Sequence, residues 1–215
     1  MVFCALVGCC CLQADLHFLF TSAIIERNYE KRKTEYLKGL RTIRSYGFEP
    51  WIIETRNISA SFFDPISERV LYPQCNIDSL QNKGANEVMA IRACISHLPF
   101  NDEDMVIKMT GRYFLYSRDF VNLIESTQTD YDAYVLSGKH FIRENDIFAG
   151  CFAMRWKYFK EMIEQVDVEK IESEMISVET VFADYIREFN LREKRVTQLH
   201  MIANVDFPGL GFLIF

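Results

Sequence analysis

A surplus of basic residues is the first thing this chain lacks. Its 24 Lys and Arg stand against 30 Asp and Glu, a formal charge of -6. Binding a phosphate backbone calls for a basic surface, so general nucleic-acid affinity is excluded. No Cys or His spacing suited to zinc occurs. The longest leading apolar run, VFCALVGCCCL at residues 2–12, is much too short to span a bilayer as a mature helix. Internal repeats and low-complexity linkers are also missing, so nothing in the pattern divides the chain. With 215 residues and 49% apolar content, one α/β domain over residues 15–215 is expected, preceded by an apolar, Cys-rich leader or extension at residues 1–14.

Four of the seven cysteines, Cys4, Cys9, Cys10 and Cys11, crowd that leader. Two readings of it stand side by side. In one it is a signal or anchor: a short signal core, a lipoprotein-like Leu6-Val7-Gly8-Cys9 box, or a site of acylation on a cytoplasmic face that ties residues 2–12 to a membrane. In the other it is an extension without a targeting role, because no Lys or Arg precedes the run. The scattered Cys75, Cys94 and Cys151 lie in apolar surroundings and read as reduced core thiols, which points to a reducing, cytoplasmic setting. A secretory signal stays open beside that reading.

Periodicity then supplies the elements. Leu16–Phe20 is a continuous apolar run, the mark of a strand buried on both faces. Asn28 caps a helix with Tyr36, Leu37, Leu40 and Ile43 at helical spacing, and Gly47 ends it. A strand over Phe48–Glu54 completes a β-α-β unit. Residues 57–80 read as a long loop over the top of the sheet, with a short strand candidate at 69–72. Further expectations are a helix over about Ala85–His97, strands at Met105–Met109, Ala133–Leu136 and Ile147–Met154, and helices after Ser117, around Trp156 and Phe159, and from Ser177. A final strand is expected over Arg195–Val205, with His200 on the face opposite Leu199 and Met201.

The segment Asn82–Tyr113 is the most informative. Ligands of a parallel α/β sheet gather beyond the carboxyl ends of its strands, so Lys108, Thr110, Gly111 and Arg112 stand where a site would be built. Two cations beside a glycine suit a phosphate or diphosphate, which a guanidinium matches as a fork and an ammonium as a point charge. Lys83 and Gly84 open a helix, whose first N–H groups also favour an anion. Glu87, one turn into that helix, reads as structural, pairing with Lys83 or Arg112.

The order of elements, the Asn82-Lys83-Gly84 helix opening, the Gly150-Cys151-Phe152-Ala153-Met154-Arg155 strand and the Ser177-Val178-Glu179 helix start resemble the GT-A glycosyltransferases, in particular their large inverting family, over roughly residues 15–190. That resemblance implies a single-domain α/β/α sandwich with a mostly parallel central sheet, a nucleotide-sugar donor as substrate, and transfer of the sugar to a hydroxyl of a glycan, lipid or protein. It also implies that Thr21 and Ser22 meet the donor's base, that Gly150, Cys151 and Arg155 lie on the acceptor side, and that Glu179 is the catalytic base.

The chain departs from the family at the metal motif. Lys108-Met109-Thr110-Gly111-Arg112 stands where the family has Asp-x-Asp. No metal ligand is therefore assigned, and dependence on Mn²⁺ or Mg²⁺ does not follow from the motif. Lys108 and Arg112 would neutralise the leaving nucleoside diphosphate instead. Literal Asp-x-Asp strings at Asp102-Glu103-Asp104 and Asp130-Tyr131-Asp132 precede their strands and belong at the opposite edge as turn acids. Glu144-Asn145-Asp146 is the reserve metal site. A non-catalytic domain that binds a nucleotide or glycan is one alternative. A nucleotidyltransferase is another, although the Gly-rich loop expected after its first strand is absent.

Overall fold

The first described apolar run forms β1 (Leu16–Ser22), and α1 (Tyr29–Ser45) follows it. Gly47 stands just past α1 with φ +92°, the left-handed conformation that ends a helix at no steric cost to glycine. Next come β2 (Trp51–Glu54), the two-residue β3 (Val70–Leu71) and α2 (Lys83–Cys94). β4 (Met105–Thr110) turns through Gly111-Arg112 into β5 (Tyr113–Leu115), then α3 (Asp119–Thr127) and β6 (Ala133–Leu136). The remainder is β7 (Cys151–Arg155), α4 (Trp156–Gln165), α5 (Val168–Ser173), α6 (Val178–Glu188), β8 (Glu193–Val196), β9 (Met201–Ala203) and β10 (Leu213–Ile214). The computed structural model describes residues 14–136, 145–203 and 213–214. The leader at residues 2–12 and Glu144 lie outside them. No helix among the described residues is long and apolar enough to cross a membrane.

The central sheet has the order β3-β2-β1-β4-β7-β6-β8. β7 runs antiparallel to both of its neighbours, and the other pairings are parallel. Strand alternation divides the core in two. Leu19, Val106, Phe152 and Met154 pack with α2, α4, α5 and α6 on one face. Phe18, Phe20, Ile107 and Met109 pack with α1 and α3 on the other. Each such apolar side chain contributes about 1.5–3 kcal/mol by leaving water. The result is the expected α/β/α sandwich with a mostly parallel central sheet. A second, antiparallel sheet of order β10-β9-β5 lies beside it.

Three expectations need correction. The last strand is two strands: β8 joins β6 in the central sheet, while β9 pairs with β5 in the small one. His200 lies between them at φ 52°, outside the strand region, so it sits on no strand face. β7 begins only at Cys151; Ile147 makes a lone bridge, Phe148 N donates to Leu136 O at 2.9 Å, and Ala149-Gly150 turn into the strand. Neither β5 nor α5 was expected, because segments of three and six residues carry too little periodicity to be read.

Candidate functional site

Because Leu19 and Val106 face α2, alternation turns Thr21, Lys108 and Thr110 toward the same helix, with Thr21 beside Thr110 in the β1–β4 register. Glu87 of α2 meets all three. Lys108 Nζ lies 2.8 Å from Glu87 Oε1, and the hydroxyls of Thr21 and Thr110 donate to the same oxygen, the second at 3.5 Å. Lys108 Nζ also donates to Ala149 O at 2.8 Å and to Thr110 Oγ1 at 3.2 Å. An ammonium has three donors, and these three contacts use them. Lys108 is 1% exposed. Its side chain runs beneath α2 rather than over the sheet edge, so it does not reach out to a donor phosphate as expected.

The bend beyond β4 is stitched to both neighbouring segments. Thr110 N donates to Gly150 O at 2.8 Å, and Gly111 N to Thr21 O at 2.7 Å. A Cβ on Gly111 would stand 2.6 to 2.8 Å from the rings of Phe20 and Tyr36, so aromatic packing demands the glycine. Gly150 is pressed in the same way by Tyr113 and Phe148, whose rings stack with centroids 5.7 Å apart. Arg112 is half-buried at the outer turn of the bend. The neighbouring Tyr113 is buried; burial pushes its phenol up, and the Arg112 charge pulls it back.

At the start of α2, Asn82 is the cap. Its Oδ1 accepts Gly84 N at 3.0 Å, and its Nδ2 donates to Ile176 O at 2.8 Å. Gly84 presses against Val178, where a Cβ would meet the valine methyls at 2.7 and 2.8 Å. The Gly84 amide therefore serves the cap, and Lys83 is exposed. This contact sets the first turns of α2 and α6 side by side. Glu179, in the first turn of α6, consequently shares a field with Lys108, Glu87 and the buried Asp146. Burial pushes the Glu179 carboxyl up; Lys108 pulls it down, and Glu87 and Asp146 raise it further. An anion in a first helical turn is also favoured by the helix dipole.

Other expected site residues are engaged elsewhere. Thr21 and Ser22 are buried, and Ser22 Oγ donates to Glu54 Oε2 at 2.6 Å. Glu54 also accepts the amides of Ile24 at 3.0 Å and Arg56 at 2.9 Å, and burial raises its proton affinity. The hydroxyl pair thus fixes strand ends and loops rather than facing a base. Cys151 packs on the opposite face, its thiol pushed up to about 12 by burial. Arg155 ends the reversed strand β7, opposite Met105, and therefore lies at the far edge of the sheet. There it binds Asp132 at 3.4 Å and the carbonyls of Glu103 and Gln128 at 2.9 and 2.7 Å. Of the three acceptor-side residues, Gly150 alone borders the bend.

Of the reserve metal site only Asn145 and Asp146 are described, and Asp146 is buried in the same field as Glu179 and Glu87. Glu87 Oε1 already holds an ammonium at 2.8 Å and a threonine hydroxyl. Among the described residues, the close grouping of metal-type ligands is Asp15, His17 and Asp104. That group lies at the beginning of β4, and its Asp104 already accepts from Asp15 N, His17 Nε2 and Asn101 N. Asp104 and Asp132 thus occupy the opposite edge, as the sequence led us to expect. His200 sits 3.6 Å from Asp119, beside a hollow of about 330 Å³ lined also by Lys194 and Arg195.

The residue the sequence reading undervalued is Glu87. Its signal was present: Lys108 sits within a strand buried on both faces, and Glu87 sits beside the apolar stripe of Val88 and Ile91. Opposite charges set into two apolar patterns call for each other.

No family model matches the sequence, and no curated protein matches it. The fold is similar to solved structures. The 2-C-methyl-D-erythritol 4-phosphate cytidylyltransferase of Francisella tularensis superposes with a TM-score of 0.56 at 14% identity, over 85% of this chain and 90% of that one. A protein of Desulfovibrio desulfuricans described as a nucleotide-diphospho-sugar transferase gives 0.52 at 11%, over 86% and 80%. The glycosyltransferase GlyE of Streptococcus pneumoniae gives 0.52 at 10%, over 86% of this chain and 45% of that one. The chain therefore has the nucleotide-diphospho-sugar transferase-like fold that glycosyl- and nucleotidyltransferases share.

Proposed function

We propose that this chain is a GT-A-like glycosyltransferase that moves a sugar from a nucleoside diphosphate to a hydroxyl of a glycan, lipid or protein. The observation that carries the reading is Glu179: a carboxylate with raised proton affinity beside the carboxyl ends of β1 and β4, in a sheet with this topology. A general base works best when its pKa lies near the operating pH, and burial moves Glu179 that way.

In this mechanism Glu179 removes the acceptor's hydroxyl proton as the oxygen attacks the anomeric carbon. The bond from that carbon to the diphosphate oxygen breaks, and its electron pair leaves with the nucleoside diphosphate. This step inverts the configuration; a retaining transfer would leave Glu179 without this role. Arg112 binds the diphosphate as a fork at the bend. Lys108, paired with Glu87, lies beneath without touching the donor. The acceptor enters past Gly150. Lys83, exposed at the start of α2, supplies a further cation for the donor.

Nucleotidyl transfer is the second reading, favoured by the fold likeness to a cytidylyltransferase. The loop after β1, Ala23-Ile24-Ile25, has no glycine with which to approach a triphosphate, which counts against it. Purified chain incubated with a panel of nucleotide sugars, with and without Mn²⁺, and separately with nucleoside triphosphates and sugar phosphates, tests the proposal. Release of nucleoside diphosphate with sugar transfer supports it. Release of pyrophosphate from a nucleoside triphosphate and a sugar phosphate supports the second reading. Calorimetric nucleotide binding without either product would reduce the chain to a binding domain.

A further inference from the structure

We propose that Glu87 is a positioning residue of this site: the carboxylate that fixes the Lys108 ammonium and the Thr21 and Thr110 hydroxyls as one set beneath the proposed transfer position. The inference rests on the transfer reading and adds a residue to it.

Three segments meet at one oxygen. Glu87 Oε1, on α2, takes Lys108 Nζ at 2.8 Å, the hydroxyl of Thr21 from the end of β1, and that of Thr110 from the end of β4 at 3.5 Å. Through the Lys108 bond to Ala149 O, the same set reaches the turn before β7. α2, the two central strand ends and the approach to Gly150 are thereby held in a single arrangement.

A lysine ammonium with 1% exposure is tolerable only if a counter-charge stands beside it, and Glu87 is that charge. Such a pair adds little to stability compared with apolar residues of the same volume. Its place in the molecule gives it another use. The pair lies at the carboxyl ends of β1 and β4, under the bend that carries Arg112, and Glu179 shares its field. Among the described residues, the charged groups that act most on Glu179 are Glu87 from α2, Lys108 from β4 and Asp146 from the segment before β7. Tyr113 of β5 lies in the same field. Glu87 and Lys108 act on Glu179 with opposite sign, so one pair both aligns the strand ends and balances the proposed base.

This yields a signed test that needs no substrate. The Glu179 carboxyl is titrated by ¹³C NMR in wild type, Glu87→Gln and Lys108→Met, with Glu179→Gln assigning its signal. The expected midpoint moves to lower pH in Glu87→Gln, where a repelling charge is gone, and to higher pH in Lys108→Met, where the attracting one is gone. Identical midpoints in all three folded proteins would overturn the proposal. Should a single variant not fold, Glu87→Gln combined with Lys108→Met removes both charges together. The double variant is expected to fold and bind nucleotide, yet to lose at least ~10-fold in kcat with a smaller change in KM. Full activity in it would reduce the pair to a packing device and overturn the proposal. A wild type that transfers no sugar but shows the opposed shifts would end the transfer reading and keep the coupling.

Discussion

At the edge of the central sheet where β4 and β6 begin, acids meet fixed guanidinium and backbone donors; at the edge where they end, acids gather around one buried lysine. Asp132 accepts the amide, Nε and Nη2 of Arg192 at 3.1, 3.0 and 2.9 Å, and Arg155 lies beside it. Burial works against its charge, yet these partners hold its carboxyl below the usual range. Glu179 at the other edge is pushed the opposite way, by burial and by the neighbouring Glu87 and Asp146. Both edges are rich in carboxylates, so composition does not tell them apart. The difference is in how the charges are compensated. An acid with several donors is held ionised, whereas burial near other acids favours the protonated form.

Exchanging charge at each edge should break this contrast in different observables. Glu179→Gln is expected to have the largest effect, a fall of about 10²–10⁴-fold in transfer rate with donor affinity retained. A turnover assay paired with calorimetry checks it, and undiminished turnover would remove Glu179 as base. Arg155→Met should instead cost on the order of 3 kcal/mol of stability, because it strips one partner from a buried ion pair. Urea unfolding measures that loss, while turnover per folded molecule is expected to stay at the wild-type level. Arg112→Ala should weaken nucleotide binding by about 10–100-fold, the worth of a charge-assisted hydrogen bond, with the unfolding midpoint little changed. Unaltered affinity would take Arg112 out of the donor site.

The smallest and most specific effect concerns acid. Asp132 has a folded pKa below its unfolded value, so the stability it contributes is present above about pH 4 and is lost as pH falls through the folded value. Asp132→Asn should therefore be less stable than wild type near neutrality, with the gap narrowing on acidification. A gap that stays constant from neutral pH to acid would show that the ionised form is not what stabilises this edge. Glu179 gives the opposite sign in activity: turnover should fall off already above the ordinary carboxylate range as pH is lowered.

Much of the architecture was legible in the chain. Apolar runs marked β1, β4 and β6, Ser177 and Asn82 marked the starts of α6 and α2, and Gly47 marked the end of α1. The bend at Gly111-Arg112 and the far-edge position of Asp104 and Asp132 followed from strand order. What misled was direction. Reading Ile147–Met154 as one more strand left its sense open, and the reversal of β7 carried Arg155 away from Gly150. The hydroxyls of Thr21 and Ser22 looked available because sequence shows their position at a strand end and not the carboxylates of Glu87 and Glu54 that claim them.

By itself the sequence determined the periodic elements, the caps that bound them and the cationic bend, because each depends on residues within a few positions of one another. Tertiary structure alone decided which charges meet. Glu87 and Lys108 are separated by about two turns of α2, a further tight turn, a loop and most of a strand, and no local rule pairs them. Their contact exists because α2 lies across β4 at a height that brings both polar groups to the same end of an otherwise apolar interface, where neither is stable without the other.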